Sequence, residues 1–361
     1  MRGGRPPPRT AFCEYDPEGT MRFSKVITAF AAAALLPLSM SSHAVTQRTL
    51  CVFDILGTSG DTYNIMRDYA AAARTQGYDI NLRVYTDEGI AAEDLKAGQC
   101  DAAGITGVRG RQFNTYTGSM DSIGSIPNYD IMKTVIQVLS SNNPRIVEHM
   151  RTNTYEVFGV LPMGAAYLFV KDKSINNVSA LAGKSIAVLE YDVTQGKMAA
   201  SVGMTPVMSD ITNFAGRFNN HSVDICFAPA FAYKGLELYK GMEPNGGIVD
   251  YVLGQLSFQI IARHSRFDEE FANWSRNYVF ENLFDRAMRL VSGADADIED
   301  KWWIRISDPD RQRYDEMMRD ARVAMTEEGL FSKDMMSLLR NIRCRHDASR
   351  AECSDRRELD W

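Results

Sequence analysis

Two runs of alternating strand-like and helix-like segments constrain this chain more than anything else in its sequence. In the first run, RTLCVFDILG reads as a strand and DTYNIMRDYAAAARTQG as a helix. YDINLRVYTD is a second strand, GIAAEDLKAG a short helix and CDAAGITGV a third strand. The first helix sets Ile65, Met66, Tyr69, Ala70 and Ala73 on one face and stops at Gly77. The second run opens with the strand KSIAVLEYD and the helix TQGKMAASVG. It continues with the strand MTPVMS, the helix TNFAGRFNN, the strand SVDICFAPAFAY and the helix KGLELYKGM. Strand and helix taking turns at this spacing indicate βαβ units, so the expected class is α/β with mostly parallel sheets.

Two longer stretches link the runs. EVFGVLPMGAAYLFVKDKS is extended, and LGQLSFQIIARHSRF alternates over a length that suits a strand returning from the second block to the first. The remainder reads as helical, through DEEFANWSRNYVFENLFDRAMRLVSG, DADIEDKWWIRI and PDRQRYDEMMRDARVAMTEEG. The last of these turns Tyr314, Met317, Met318, Ala321 and Met325 inward, a stripe that fits core filling rather than a cofactor site.

The segment MRFSKVITAFAAAALLPLSMSSHA, residues 21–44, has the order of a secretory signal peptide. Arg22 and Lys25 precede an apolar run, and Ser42 and Ala44 offer small residues for cleavage after Ala44. Residues 1–20 read as neither signal nor domain, so translation is expected to begin at Met21. Without residues 1–44 the chain holds 35 basic and 43 acidic residues, a net charge of −8. No Lys/Arg-dense block accompanies that balance, so counterion release has no obvious source and no nucleic-acid partner is expected. No later run of 18 apolar residues occurs.

An exported chain can oxidise its cysteines. CRHDASRAEC closes a short loop between Cys344 and Cys353. Cys51 opens one strand and Cys100 stands just before another; if those strands are neighbours, a second disulfide joins them and leaves Cys226 unpaired. Spacing alone leaves the connectivity open.

The loop GTSGD, Gly57 to Asp61, follows the first strand. It is no nucleophile elbow, because its glycines are misplaced around Ser59. LAGKS ends like a P-loop, but the earlier glycine position is Val178 and a strand follows instead of a helix. What GTSGD supplies is free amides and hydroxyls at a helix start, with Asp61 suited to capping. Ligands of open parallel sheets sit beyond the carboxyl ends of the strands, and the other loops there are polar too. They bring Arg109, Arg111 and Gln112 from ITGVRGRQFN, Glu190 and Tyr191 from LEYD, and Tyr233 from APAFAY. The sequence has no His-Glu-x-x-His and no Cys-x-x-Cys, so no metal or cofactor is expected, and no acid–base or nucleophile set points to an enzyme.

With its signal-like leader, two α/β blocks, crossing strand, return strand and terminal helices, the chain resembles the type 2 periplasmic solute-binding proteins. It is most similar to the extracytoplasmic receptors of TRAP transporters, and to solute-binding proteins of unassigned ligand. The strings that carry this likeness are GTSGD, KAGQCDAAGITGVRGRQFN, VSALAGKSIAVLEYD, SDITNFAGRFNN and LELYKGM. The resemblance implies a two-lobed fold in which residues 45–150 and about 255–300 form one lobe and 155–254 the other. Residues 301–361 form C-terminal helices and a tail. It also implies a periplasmic receptor that captures a small polar solute between its lobes and presents it to a membrane permease. An adaptor or sensor-input protein without a selective pocket is the alternative. TRAP receptors usually clamp a substrate carboxylate with an arginine on the strand opening the second lobe, where this chain has Ala187. The ligand-binding residues expected are Asp54, Thr58, Ser59, Asp61, Arg109, Arg111, Gln112, Glu190, Tyr191, Asn213 and Tyr233.

Overall fold

A computed structural model describes residues 45–359; the expected signal peptide at 21–44 and the extension at 1–20 lie outside the described residues. The first run folds as read. Strand β1 (Thr46–Phe53) leads to helix α1 (Asp61–Ala73), then β2 (Tyr78–Tyr85), α2 (Glu88–Lys96) and β3 (Ala102–Thr106). Helix α1 buries Ile65, Met66, Tyr69, Ala70 and Ala73, the five residues its three-four spacing selects. The chain then turns at Gly77, whose φ of +81° lies in the left-handed region that glycine enters freely.

Strand β4 (Tyr155–Val170) is the long extended segment. It is followed by β5 (Ser185–Leu189), β6 (Thr205–Ser209), β7 (Ile225–Pro229), β8 (Gly247–Val249), β9 (Gly254–Arg263) and β10 (Trp303–Ile304). All ten belong to one sheet, in the order β2-β1-β3-β9-β4-β7-β5-β6, with β8 pairing both β4 and β10. The groups β2-β1-β3 and β7-β5-β6 are each parallel. Between them β9 and β4 run antiparallel to each other and to their outer neighbours. The pairing of β4 with β9 shifts register around Gly159 and again around Gly164. A Cβ at Gly159 would lie 2.7 Å from Val279 Cγ2, so glycine there lets a helix pack closely on β4.

That helix is the expected DEEF segment. It is helical from Glu269 to Tyr278 and from Phe284 to Ala296, with a wide π turn at Val279–Leu283 between them. Two other stretches depart from their local pattern. KGLELYKGM splits into Ala232–Gly235 and Tyr239–Met242, broken where Glu237 takes a φ of +54°. DADIEDKWWIRI is largely not helical, since Trp303 and Ile304 pair with Ile248 and Val249 as β10. A two-residue pairing of this kind is set by the partner strand and leaves no periodicity to read.

The stripe on the helix Asp308–Glu327 is buried at Tyr314, Met318, Ala321 and Met325, with Met317 packed against the same core. The C-terminal segment is held by charge as well as by apolar contact. Buried Arg343 bonds Glu352 at 2.9 Å and Glu358 at 3.2 Å, and Arg322 reaches Glu358 at 3.3 Å. Two cations thus meet two anions out of water, the pairing that buried charges require. Disulfides join Cys51 to Cys100 and Cys344 to Cys353, and Cys226 is a free, buried thiol. Asp94 stands beside the first pair, but both sulfurs there are committed to the bridge and the group is no metal site. No helix among the described residues is long and apolar enough to cross a membrane.

A cleft at the strand ends

Asp54 organises the loop that follows β1. Its buried carboxylate accepts from the Leu56 amide at 2.9 Å and the Tyr63 amide at 3.0 Å, so it caps both the turn and the start of α1. Asp61, which its sequence position marks as a cap, is instead the exposed first residue of the helix, and the N-cap Gly60 has no side chain to offer. Capping therefore comes from the strand end, and it forces the choice of glycine. A Cβ on Gly60 would fall 1.8 Å from Asp54 Oδ1.

Beyond the strand ends lies a cleft of about 680 Å³, within the roughly 300–1,000 Å³ of ordinary small-molecule sites. The ends of β1 and β3 contribute Phe53, Asp54 and Thr106, while β5 and β7 contribute Ala187, Leu189, Phe227 and Pro229. Pro162 and Met163 of β4 and Leu256 of β9 form the floor, and Leu290 and Val291 close the helix side. Both parallel groups thus present their carboxyl ends to the same space.

Four of the sequence-derived candidates line this cleft: Asp54, Asp61, Tyr191 and Tyr233. Arg109 stands behind Tyr191, its guanidinium carbon 3.3 Å from the ring centroid, a close cation–π contact. The Tyr191 hydroxyl donates to Glu88, which is wholly buried and also accepts from the Thr106 amide and hydroxyl at 3.2 and 2.8 Å. Arg109 Nε is 3.8 Å from the same carboxylate. Burial raises the Glu88 carboxyl above its usual range despite the bonds from Tyr191 and Thr106. Burial, and then the charge of Glu88, push the Tyr191 hydroxyl well up, so it stays a donor at any physiological pH.

Arg111 reaches across from the first block to the second, where Nη1 bonds Asp192 at 3.1 Å and Thr194 Oγ1 at 3.3 Å. Asp121, close enough to feel the charge of Arg111, is buried and accepts from the Ser257 amide and hydroxyl at 3.1 and 2.7 Å. Burial pushes Asp121 up to about 7, against those bonds and the charge of Arg111.

The other candidates lie elsewhere. Thr58 and Ser59 are exposed on the turn outside the cleft. Gln112 is exposed and donates to the Arg109 carbonyl at 3.1 Å, and Glu190 is exposed at the end of β5. Asn213 is tied to Asp210 by a 2.5 Å bond, next to the lining residues Ile211 and Phe214. The lining residues that sequence reasoning missed are mainly apolar, among them Phe214, Phe227 and Phe231. Phe227 and Phe231 lie in or just after β7 and Phe214 opens the helix Phe214–Asn219, and that these places converge appears only once strand order is known.

The profile of the family described as "Solute-binding protein AdeT 1/2" matches residues 6–358. This chain belongs to that family. Among its AdeT relatives, the probable solute-binding protein AdeT1 of Acinetobacter baumannii is 41% identical over 303 residues, covering 84% of this chain and 99% of its own. AdeT2 of the same organism is 28% identical over 239 residues, covering 65% of this chain and 98% of its own. The AdeT fold is also that of TRAP periplasmic solute-binding proteins. One from Ralstonia eutropha, solved with bound (S)-2-acetolactate, superposes with a TM-score of 0.68 at 11% identity, covering 83% of this chain and 99% of its own. Another from Haemophilus influenzae, with bound L-gulonate, gives 0.67 at 12% identity, covering 82% and 99%. The two-lobed binding-protein fold expected from the sequence is therefore the fold found, and solute binding is the function of the family.

Proposed function

We propose that this chain is a periplasmic receptor that encloses one small solute in the cleft and delivers it to a membrane permease. The lobes in this reading are residues 45–150 with about 255–300, and residues 155–254. The observation that carries it is the 680 Å³ cleft to which both parallel groups turn their strand ends. Two polar contacts join the two blocks, Arg111 to Asp192 and the lining residue Tyr191 to Glu88. Strands β4 and β9 are the connections about which the lobes hinge, their register shifts at Gly159 and Gly164 marking where the ladder bends. Capture and release of this kind need no bond made or broken.

A thermal-shift screen of the mature protein against a solute library tests the reading, together with mass spectrometry of whatever co-purifies. Binding to the native state alone raises the melting temperature with ligand concentration. A chain that no solute stabilises would instead be the adaptor or sensor-input protein of an envelope transport system.

A further inference from the structure

Four polar side chains of the cleft wall spend hydrogen-bonding capacity inside the protein, while Thr62, the Tyr233 hydroxyl and Gln195 Nε2 have no side-chain hydrogen bond among the described residues. Both oxygens of Asp54 are held by the Leu56 and Tyr63 amides. Thr106 Oγ1 donates to Glu88 at 2.8 Å and accepts from the Arg109 amide at 3.2 Å. Tyr191 donates to Glu88, and Gln195 Oε1 accepts from the Leu189 amide at 3.1 Å. A sugar acid, with a polar group on nearly every carbon, would give up more bonds to water here than these few remaining groups return, which is costly. At Ala187, where the resemblance to TRAP receptors places a carboxylate clamp, the wall is a methyl group.

The mouth differs from the interior in a complementary way. Leu56, Phe231 and Leu290 all line the cleft and are 54%, 37% and 36% exposed. They are three of only eight large hydrophobic side chains exposed among the described residues, so exposed apolar surface gathers at this opening. Charge is found here too. Asp61 and Arg289 are exposed lining residues with no ion pair among the described residues, and Lys234 pairs with Asp297 at 2.7 Å.

We propose that the solute is an amphiphile whose apolar body fills the cleft while its polar or charged head stays at the mouth, between Asp61 and Arg289. This assignment rests on the receptor reading above and names the class of molecule received. The apolar walls supply the affinity through buried area, and the head sets orientation. Relative to the small polar solute that the family resemblance implies, it keeps a polar end and adds an apolar body.

Two homologous series test it: straight-chain carboxylates and straight-chain primary ammonium ions of four to ten carbons, used below their micelle concentrations. Affinity is read by thermal shift and by displacement of 1-anilinonaphthalene-8-sulfonate. Succinate, malate and glucuronate serve as hydrophilic comparisons. The expected result is affinity that rises about fourfold per added methylene in at least one series, with the hydrophilic acids inert. Leu290→Asn, at a position 36% exposed, should weaken the ten-carbon ligand about tenfold with the unfolding transition of the free protein unchanged, and Leu290→Met should restore it. Stabilisation by a hydrophilic acid with no dependence on chain length would overturn the amphiphile and leave the receptor reading standing. Stabilisation by neither class would overturn the amphiphile, and the receptor reading falls with it only if the solute library also stabilises nothing.

Discussion

Arg111 Nη1 lies 3.1 Å from Asp192 Oδ1, an ion pair between residues 81 positions apart that joins the two α/β blocks. Asp192 also caps the helix Val193–Ser201 by accepting from the Thr194 amide, so one carboxylate ties a helix start to the opposite block. The pair is largely out of water, with side-chain exposures of 15% and 4%. Removing one member strands the other. Arg111→Ala should lower the unfolding free energy by about 3 kcal/mol in urea denaturation. The double variant Arg111→Ala, Asp192→Asn should lose less than the sum of the singles, and strict additivity would show that the two do not interact.

Asp121 makes stability depend on pH. Its folded pKa of about 7 stands above the ordinary value of 3.8 because burial penalises its charge. Between those values the native state holds a proton that the unfolded chain releases, so the slope of stability against pH is negative. The contribution is full below about pH 4 and is lost as pH rises through 7. Melting temperatures from pH 4.5 to 8 should fall in the wild type relative to Asp121→Asn, whose amide can still bond Ser257. Parallel curves for the two proteins would remove Asp121 as the source.

The Cys51–Cys100 bridge closes a loop with a sequence separation of 49, whereas Cys344–Cys353 spans only 9. In the chain-entropy account the longer loop contributes about 4 kcal/mol and the shorter about 2.5 kcal/mol. The double variant Cys51→Ala, Cys100→Ala should therefore melt at a lower temperature than Cys344→Ala, Cys353→Ala. Equal losses would mean that the C-terminal ion pairs around Arg343 depend on their own staple more than entropy alone requires.

Gly60 has no room for a side chain, because a Cβ there would meet the Asp54 carboxylate. Gly60→Ala should displace Asp54 from the Leu56 and Tyr63 amides, at a cost of about 1–3 kcal/mol. Since Asp54 and Leu56 both line the cleft, ligand affinity should fall in the same variant. Chemical denaturation and calorimetric titration read the two effects, and a stable variant with intact binding would show that the turn can relax.

Much of the fold was legible locally. The period of α1 picks out its five buried residues, and the lengths of β4 and β9 mark them as the strands that pass between blocks. Proximity of Cys344 and Cys353 in sequence makes their bridge easy to foresee. The Trp303–Ile304 pairing was not legible, because it depends on a partner strand brought in by the fold, and nothing in KGLELYKGM marks the break at Glu237.

The candidate site divides along the same line. Sequence alone places polar residues at the strand ends, since the alternation of strand and helix locates those ends to within a few positions. Tertiary structure alone decides where each side chain spends its bonding capacity. Tyr191 turns to Glu88, 103 residues away, and Arg111 to Asp192, while Asp54 turns back to its own loop. The apolar lining follows from the same cause. Phe53, Phe227 and Leu256 come from three different strands, and only their order in the sheet puts them around one cavity. Local periodicity reports which face of an element is buried; which buried faces meet is settled by contacts between distant segments, and the cleft is made of those.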